Sequence, residues 1–147
     1  MTIESDTQLA CCTLSRVDHV DTHVLRTTST RTPQMWAREI LENTSVAMRA
    51  RLTAGWTMLG LRLRRSSAHS IAGWPITRDD AEYVRLQGDS RIGLAGQLVT
   101  RVVDGGVVFA TFVQLGNPVA RAVWARVLPT HLEIVESLVR GAAERTR

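Results

Sequence analysis

Asn117-Pro-Val-Ala-Arg-Ala-Val-Trp-Ala-Arg-Val-Leu-Pro-Thr-His-Leu-Glu-Ile-Val-Glu-Ser-Leu-Val-Arg140 reads as one long helix. Asn117 offers the side-chain acceptor of an N-cap, and Pro118 suits the first helical position, where no N–H is needed. Trp124, Leu128, Val135 and Leu138 then recur at helical spacing. Pro129 lacks an N–H and leaves a carbonyl near Ala125 without its helical donor, so it marks the expected bend. His131 falls on the apolar stripe between Leu128 and Val135.

Immediately before this helix lies the clearest strand signal in the chain, Ile92 to Val103 and Val107 to Leu115 around Asp104-Gly105. With Asp104 and Gly105 as central turn residues, Val102 pairs with Val107, Thr100 with Phe109, Leu98 with Thr111, Gly96 with Val113 and Leu94 with Leu115. These pairs share one mainly apolar face. The other face pairs Arg101 with Val108, Gln97 with Phe112 and Ala95 with Gln114. A slip of one residue would turn Arg101 and Gln97 into the core, so the register is well specified.

Upstream, Val17 to Thr28 alternates, with Val20, Thr22 and Val24 on one side and His19, Asp21 and His23 on the other. Burying the valines places the histidine row outside. Thr32 and Pro33 open a first short helix carrying Trp36, Ile40 and Leu41 inward, and Val46 to about Leu61 forms a second with Met48, Leu52, Trp56 and Leu59 on one stripe. Arg62 to His69 is a polar loop. Ser70 to Thr77 is a strand in which Pro75, unable to donate to a ladder, implies an edge or a bulge. Arg78-Asp79-Asp80 makes a turn into the strand Glu82 to Asp89, whose Val84, Leu86 and Gly88 are cheaper to bury than Tyr83 and Arg85. Five strands are expected; either Cys11 to Leu14 or Leu61 to Arg65 adds a short further one, or the sheet stays open at one edge.

A chain of 147 residues, 44% of them hydrophobic, supports one domain with a substantial core. We expect residues 1–16 to be an N-terminal arm and 17–147 a single domain. The acidic N-terminus is unlike a signal peptide, and no apolar run reaches membrane-spanning length, which predicts a cytoplasmic protein with no membrane span. Adjacent Cys11 and Cys12 cannot build a disulfide framework or a zinc site by themselves. All 18 basic residues are arginine, giving a net charge of +4. The densest basic group, Arg49, Arg51, Arg62, Arg64 and Arg65, lacks interleaved stacking aromatics, so no nucleic acid partner is expected. A Gly-rich phosphate loop, a nucleophile elbow and a CxxC pair are all missing, which removes support for nucleotide hydrolysis and for serine or cysteine hydrolase chemistry.

The order strand, two short helices, antiparallel strands, long C-terminal helix resembles the helix-grip fold of the START-like superfamily, which includes the polyketide cyclase/dehydratase and lipid-transport group. The resemblance is carried by Asp18-His-Val-Asp, Pro33-Gln-Met-Trp-Ala-Arg, Gly73-Trp74 and Pro118 through Val139, including Ala122-Val-Trp-Ala and Pro129-Thr-His131. It covers about Val17 to Arg140 and is nearest to small actinobacterial members. It implies an α+β fold, a curved antiparallel sheet wrapped around a long C-terminal helix, with two short helices after the first strand and an apolar cavity between sheet and helix.

Two functions follow as expectations. The first is binding of an apolar small molecule, such as a lipid, polyketide or aromatic metabolite, by Trp56, Trp74, Leu98, Phe109, Thr111, Trp124, Leu128 and His131, with no cofactor. The second is a cyclase, dehydratase or isomerase with His131 as base and Tyr83 or Arg85 as polar aids. The default reading of His131 is a core histidine bonded to a backbone carbonyl such as the one freed by Pro129. The row His19, Asp21, His23 has metal-ligand chemistry, but its expected outward position makes a solvated face the default, so no metal is expected. Finally, the mixed face with Val99, Val108 and Phe112 suits a homodimer interface.

Overall fold

The computed structural model describes residues 9–65 and 67–147. The chain runs β1 (His19–Arg26), α1 (Pro33–Leu41), α2 (Val46–Met58), β2 (Ser70–Ile71), β3 (Trp74–Asp79), β4 (Tyr83–Asp89), β5 (Leu94–Val103), β6 (Gly106–Leu115) and α3 (Pro118–Arg145). The strands form a six-stranded sheet in the order β1-β6-β5-β4-β3-β2, with every neighbouring pair antiparallel. This is an α+β helix-grip fold, in which the inner face of one sheet packs on the long C-terminal helix.

The β5–β6 hairpin has the register that its pattern dictates, from Val103 opposite Gly106 to Leu94 opposite Leu115. Gly105 takes φ of +75° at the turn, a conformation glycine adopts without steric penalty. Val84, Leu86, Leu98, Val107 and Phe109 from the inner face join Trp36, Ile40, Val135 and Leu138 in the main core. A second cluster unites Leu94, Val113 and Leu115 with Ala120 and Trp124 near the start of α3.

The helix starts are also those expected. Thr32, Ser45 and Asn117 each accept a backbone N–H three residues on, from Met35, Met48 and Ala120, which satisfies an otherwise orphaned donor. The last helix extends beyond Arg140 to Arg145 and continues through Pro129. By contrast, α2 buries little: only Leu52 within it is fully buried, while Met48 and Trp56 pack partly on the core.

Three expectations are corrected. First, the sixth strand comes from neither Cys11 to Leu14 nor Leu61 to Arg65. The stretch Ser70 to Thr77 divides instead, because Ala72 (φ +52°) and Gly73 (φ +88°) make a tight turn between β2 and β3. Leu61 contributes only an isolated bridge to Ser90. The bulge expected near Pro75 appears as a register shift between Ile76 and Arg78.

Second, the outer face of the hairpin is not open for a homodimer. Val99, Ala110, Phe112 and Tyr83 are buried in a cluster with Cys11, against which Cys12, Leu14 and Val17 pack. Gln97 fixes this cover, donating to Thr13 Oγ1 at 2.6 Å and accepting from the Thr13 N–H at 2.9 Å. Residues 1–8 of the expected arm lie outside the described residues; the part from Cys11 onward is packed on the sheet.

Third, β1 is turned over. His19, Asp21, His23 and Leu25 pair with Val113, Thr111, Phe109 and Val107, all on the inner face. Val20 and Val24 face outward, 44% and 55% exposed. The physical reason is that β1 is an edge strand whose inward polar groups satisfy one another, so burial of Leu25 and the hydrogen bonds of Asp21 outweigh burial of two valines.

Candidate functional site

A cavity of about 490 Å³ lies between α2, α3 and the inner face of the sheet. Its apolar wall includes Leu52, Trp56 and Leu59 from α2 and its C-cap, Leu98 and Phe109 from the hairpin, and Ile134, Val135 and Leu138 from α3. The helical period that puts Val135 and Leu138 on the core side also brings His131 to this wall. Arg51 and Arg126, both exposed, add positive charge to the lining.

Of the residues expected to bind ligand, Trp56, Leu98, Phe109 and His131 line this cavity. Trp74 is committed elsewhere. Its ring lies across Gly88 and Gly96, where an added Cβ would come within 2.6 Å and 3.3 Å of it, and it meets the Trp56 ring edge-on at 5.7 Å. The space that Gly88 and Gly96 leave on the inner face is therefore filled by Trp74. Trp124 packs with Leu94, Val113 and Leu115, with Leu128 at the edge of the same cluster. Thr111 is buried on the inner face directly opposite Asp21.

His131 does not turn to the carbonyl freed by Pro129. Its Nε2 is 2.9 Å from Oδ2 of Asp21. The same carboxylate oxygen lies 2.6 Å from Nε2 of His19, and Oδ1 lies 3.1 Å from Nε2 of His23. Burial opposes ionisation of Asp21, but the hydrogen bonds from His131 and His19 outweigh it and hold the carboxyl below its usual range. Trp124 closes the cluster, its ring 5.1 Å from those of both His19 and His131.

Tyr83 and Arg85 do not converge on His131. They belong to the opposite face of the sheet, where the Arg78 guanidinium covers the Tyr83 ring and Arg85 donates to Thr77 Oγ1 and to the carbonyl of Cys11. The polar groups that do reach His131 are Asp21 and His19. One signal in the sequence places them there: Leu25, the residue of β1 that most needs burial, shares their parity along the strand.

The strand order, the long terminal helix and the cavity beneath it define a helix-grip protein with an apolar pocket. No protein-family model matches the chain, and a search of curated proteins finds no match. Among solved structures, the crystal structure of Ara h 8.0201 is similar over 86% of this chain and 99% of that chain, at 13% sequence identity and a TM-score of 0.40. No helix among the described residues is long and apolar enough to cross a membrane.

Proposed function

We propose that this protein binds an apolar small molecule in the cavity between the sheet and α3. The observation that carries the reading is the cavity itself: about 490 Å³, walled by aliphatic and aromatic side chains, within the ~300–1,000 Å³ typical of small-molecule sites. None of the four tryptophans fills it; Trp56 forms part of its wall, and Trp36, Trp74 and Trp124 pack elsewhere. Arg51 and Arg126 favour a ligand whose apolar body ends in an anionic group, such as a fatty acid or a carboxylated polyketide.

The alternative, a cyclase or dehydratase with His131 as base, loses Tyr83 and Arg85 as its polar aids, since both lie across the sheet. Binding is thus the reading best supported by the lining. The test is displacement of an environment-sensitive apolar fluorophore by a medium-chain fatty acid. Saturable displacement is expected from the native chain, weakened by Gly55→Leu, because an added Cβ at cavity-lining Gly55 meets no atom within 4 Å and a larger side chain has room to occupy the space. Absence of saturable binding, or binding that Gly55→Leu and Leu98→Phe leave unchanged, overturns the reading.

A further inference from the structure

Where β1 runs beneath α3, three side chains with metal-ligand chemistry meet. His19 and Asp21 share the inner face of β1, and His131 descends from α3. One ligating atom of each lies within 4.8 Å of the others. The three side chains are 17%, 10% and 16% exposed, so the cluster is largely withdrawn from water while remaining reachable. Among the described residues, the ion-pair partners of Asp21 are imidazoles alone. Three imidazoles thus share one carboxylate, an arrangement with more nitrogen donors than a single negative charge needs.

We propose that His19, Asp21 and His131 bind a divalent transition-metal ion of the zinc class. Two imidazoles and one carboxylate suit zinc, iron and cobalt, and three protein ligands leave a coordination position for water or another ligand. Ligands that share such an ion at about 2.0–2.2 Å stand roughly 3.0–3.5 Å apart. The present spacings of 2.6 Å and 2.9 Å from Asp21 Oδ2 therefore open by roughly 0.1–0.9 Å, while the two imidazole nitrogens, within 4.8 Å of each other, settle to the same separation. Each Nε2 now donates to the carboxylate; in the neutral tautomer with the proton moved to Nδ1, the same nitrogen presents its lone pair, so the nitrogens that face the carboxylate are those that would face the ion.

A second observation points to the same place. Among the described residues, three buried side-chain polar atoms lack a hydrogen-bond partner, and two of them, Thr111 Oγ1 and Trp124 Nε1, belong to residues beside this cluster that are more than nine-tenths buried; the third is Trp74 Nε1. Thr111 is the cross-strand partner of Asp21, and the Trp124 ring touches both His19 and His131. Water, hydroxide or another oxygen ligand on the ion supplies polar partners to this wall. His23, 3.1 Å from Oδ1 of Asp21, is a positioning residue that orients the carboxylate. This site does not rest on the fatty-ligand reading, because none of its donors except His131 lines the apolar cavity.

The test is titration of the chelator-treated 147-residue chain with Zn(II) and Co(II), read by native mass spectrometry, calorimetry and the visible spectrum of bound cobalt. One equivalent is expected, with cobalt bands of nitrogen and oxygen ligation. His19→Ala, His131→Ala and Asp21→Asn are expected to abolish single-site binding. His23→Ala should weaken it about tenfold, and His69→Ala, at an exposed position, should leave it unchanged. A thiolate-to-cobalt band, which assigns the ion to Cys11 and Cys12, overturns the proposal, as does one-equivalent binding that survives His131→Ala. The cobalt spectrum of the native chain decides the ligand type even if a variant fails to fold. Gly55→Leu, which alters the apolar cavity and no donor, should retain metal binding, so failure of either idea is recognisable separately.

Discussion

Nε2 of His131 and Oδ2 of Asp21 are 2.9 Å apart, although 110 residues separate them in the chain. This contact joins the edge strand β1 to the middle of α3, and the same carboxylate also holds His19 and His23. Removing Asp21 leaves three imidazoles without their common acceptor in a largely buried site. Asp21→Ala is therefore expected to destabilise chelator-treated protein by about 1–3 kcal/mol, the range for orphaning buried polar groups. Urea unfolding with the slope held in common measures it, and a loss below about 0.5 kcal/mol would show the cluster to be well solvated.

The fold was legible where local chemistry and burial agreed. Alternation on both sides of Asp104-Gly105 set every pair of the β5–β6 register, and Thr32 and Asn117 marked two of the helix starts as caps, whereas the start at Val46 was placed by its apolar stripe and its Ser45 cap emerged only in the structure. The orientation of β1 was not legible, because Val20 and Val24 carry the stronger local apolar signal while the groups that reward inward His19 and Asp21 sit on α3 and β6. His131 was visible from its stripe position. Its partner was not, since nothing in helical spacing identifies an acceptor 110 residues away. The cover over the outer face was equally hidden: Cys11 and Thr13 lack periodicity, and Gln97 gives no sign from its own strand that it will bind them.

Trp74 and Gly88 form a matched pair. A Cβ on Gly88 would meet Trp74 ring carbons at 2.6 Å, 2.9 Å and 3.0 Å, contacts that the buried ring cannot accept without moving. Gly88→Ala should cost about 1–3 kcal/mol through overpacking. The penalty should shrink when Trp74 is also changed to Leu, giving a coupling energy of at least about 0.5 kcal/mol in a double-mutant cycle. Simple additivity would place the strain elsewhere.

Ala72 is the one non-glycine residue with positive φ among those described, at +52°. That conformation penalises any L side chain by about 1–2 kcal/mol relative to glycine's freedom. Ala72→Gly is expected to raise stability by about 0.5–1 kcal/mol, because the N–H of residue 72 keeps its 2.8 Å hydrogen bond to Glu42 Oε2. The adjacent glycine is the counter-example: a Cβ on Gly73 would stand 2.5 Å from the carbonyl oxygen of Arg64, so Gly73→Ala should destabilise. Thermal melts of the two variants should move in opposite directions.

Asp80 supplies an acid-linked contribution. The backbone N–H of Tyr83, the guanidinium of Arg78 and the N–H of Glu82 hold its carboxyl at about 2, below the ordinary 3.8. Because the folded value is depressed, the stabilisation is complete above the unfolded value and is lost as pH falls from about 4 through about 2. The carboxyl carbon shift of Asp80 should titrate near the lower value. Asp80→Asn should flatten the fall in urea midpoint across that window, and an unchanged slope would remove Asp80 from the acid response.

Gly55 offers a way to separate helix stability from cavity occupancy. It lies inside α2 with nothing within 4 Å of an added Cβ, and its φ is not in the left-handed region. Glycine in a helix interior is disfavoured against alanine by about 1 kcal/mol, so Gly55→Ala should stabilise by about 0.5–1 kcal/mol. Since Gly55 also lines the cavity, longer side chains there meet two opposed effects. Helix propensity favours Leu nearly as well as Ala, while its larger volume competes with an apolar ligand. Stability should therefore rise for both variants, and fatty-acid affinity should fall much further for Gly55→Leu than for Gly55→Ala. Equal affinities in the two variants would place the ligand away from α2, and a destabilised Gly55→Ala would mean that α2 packs more tightly over the cavity than its open Gly55 face indicates.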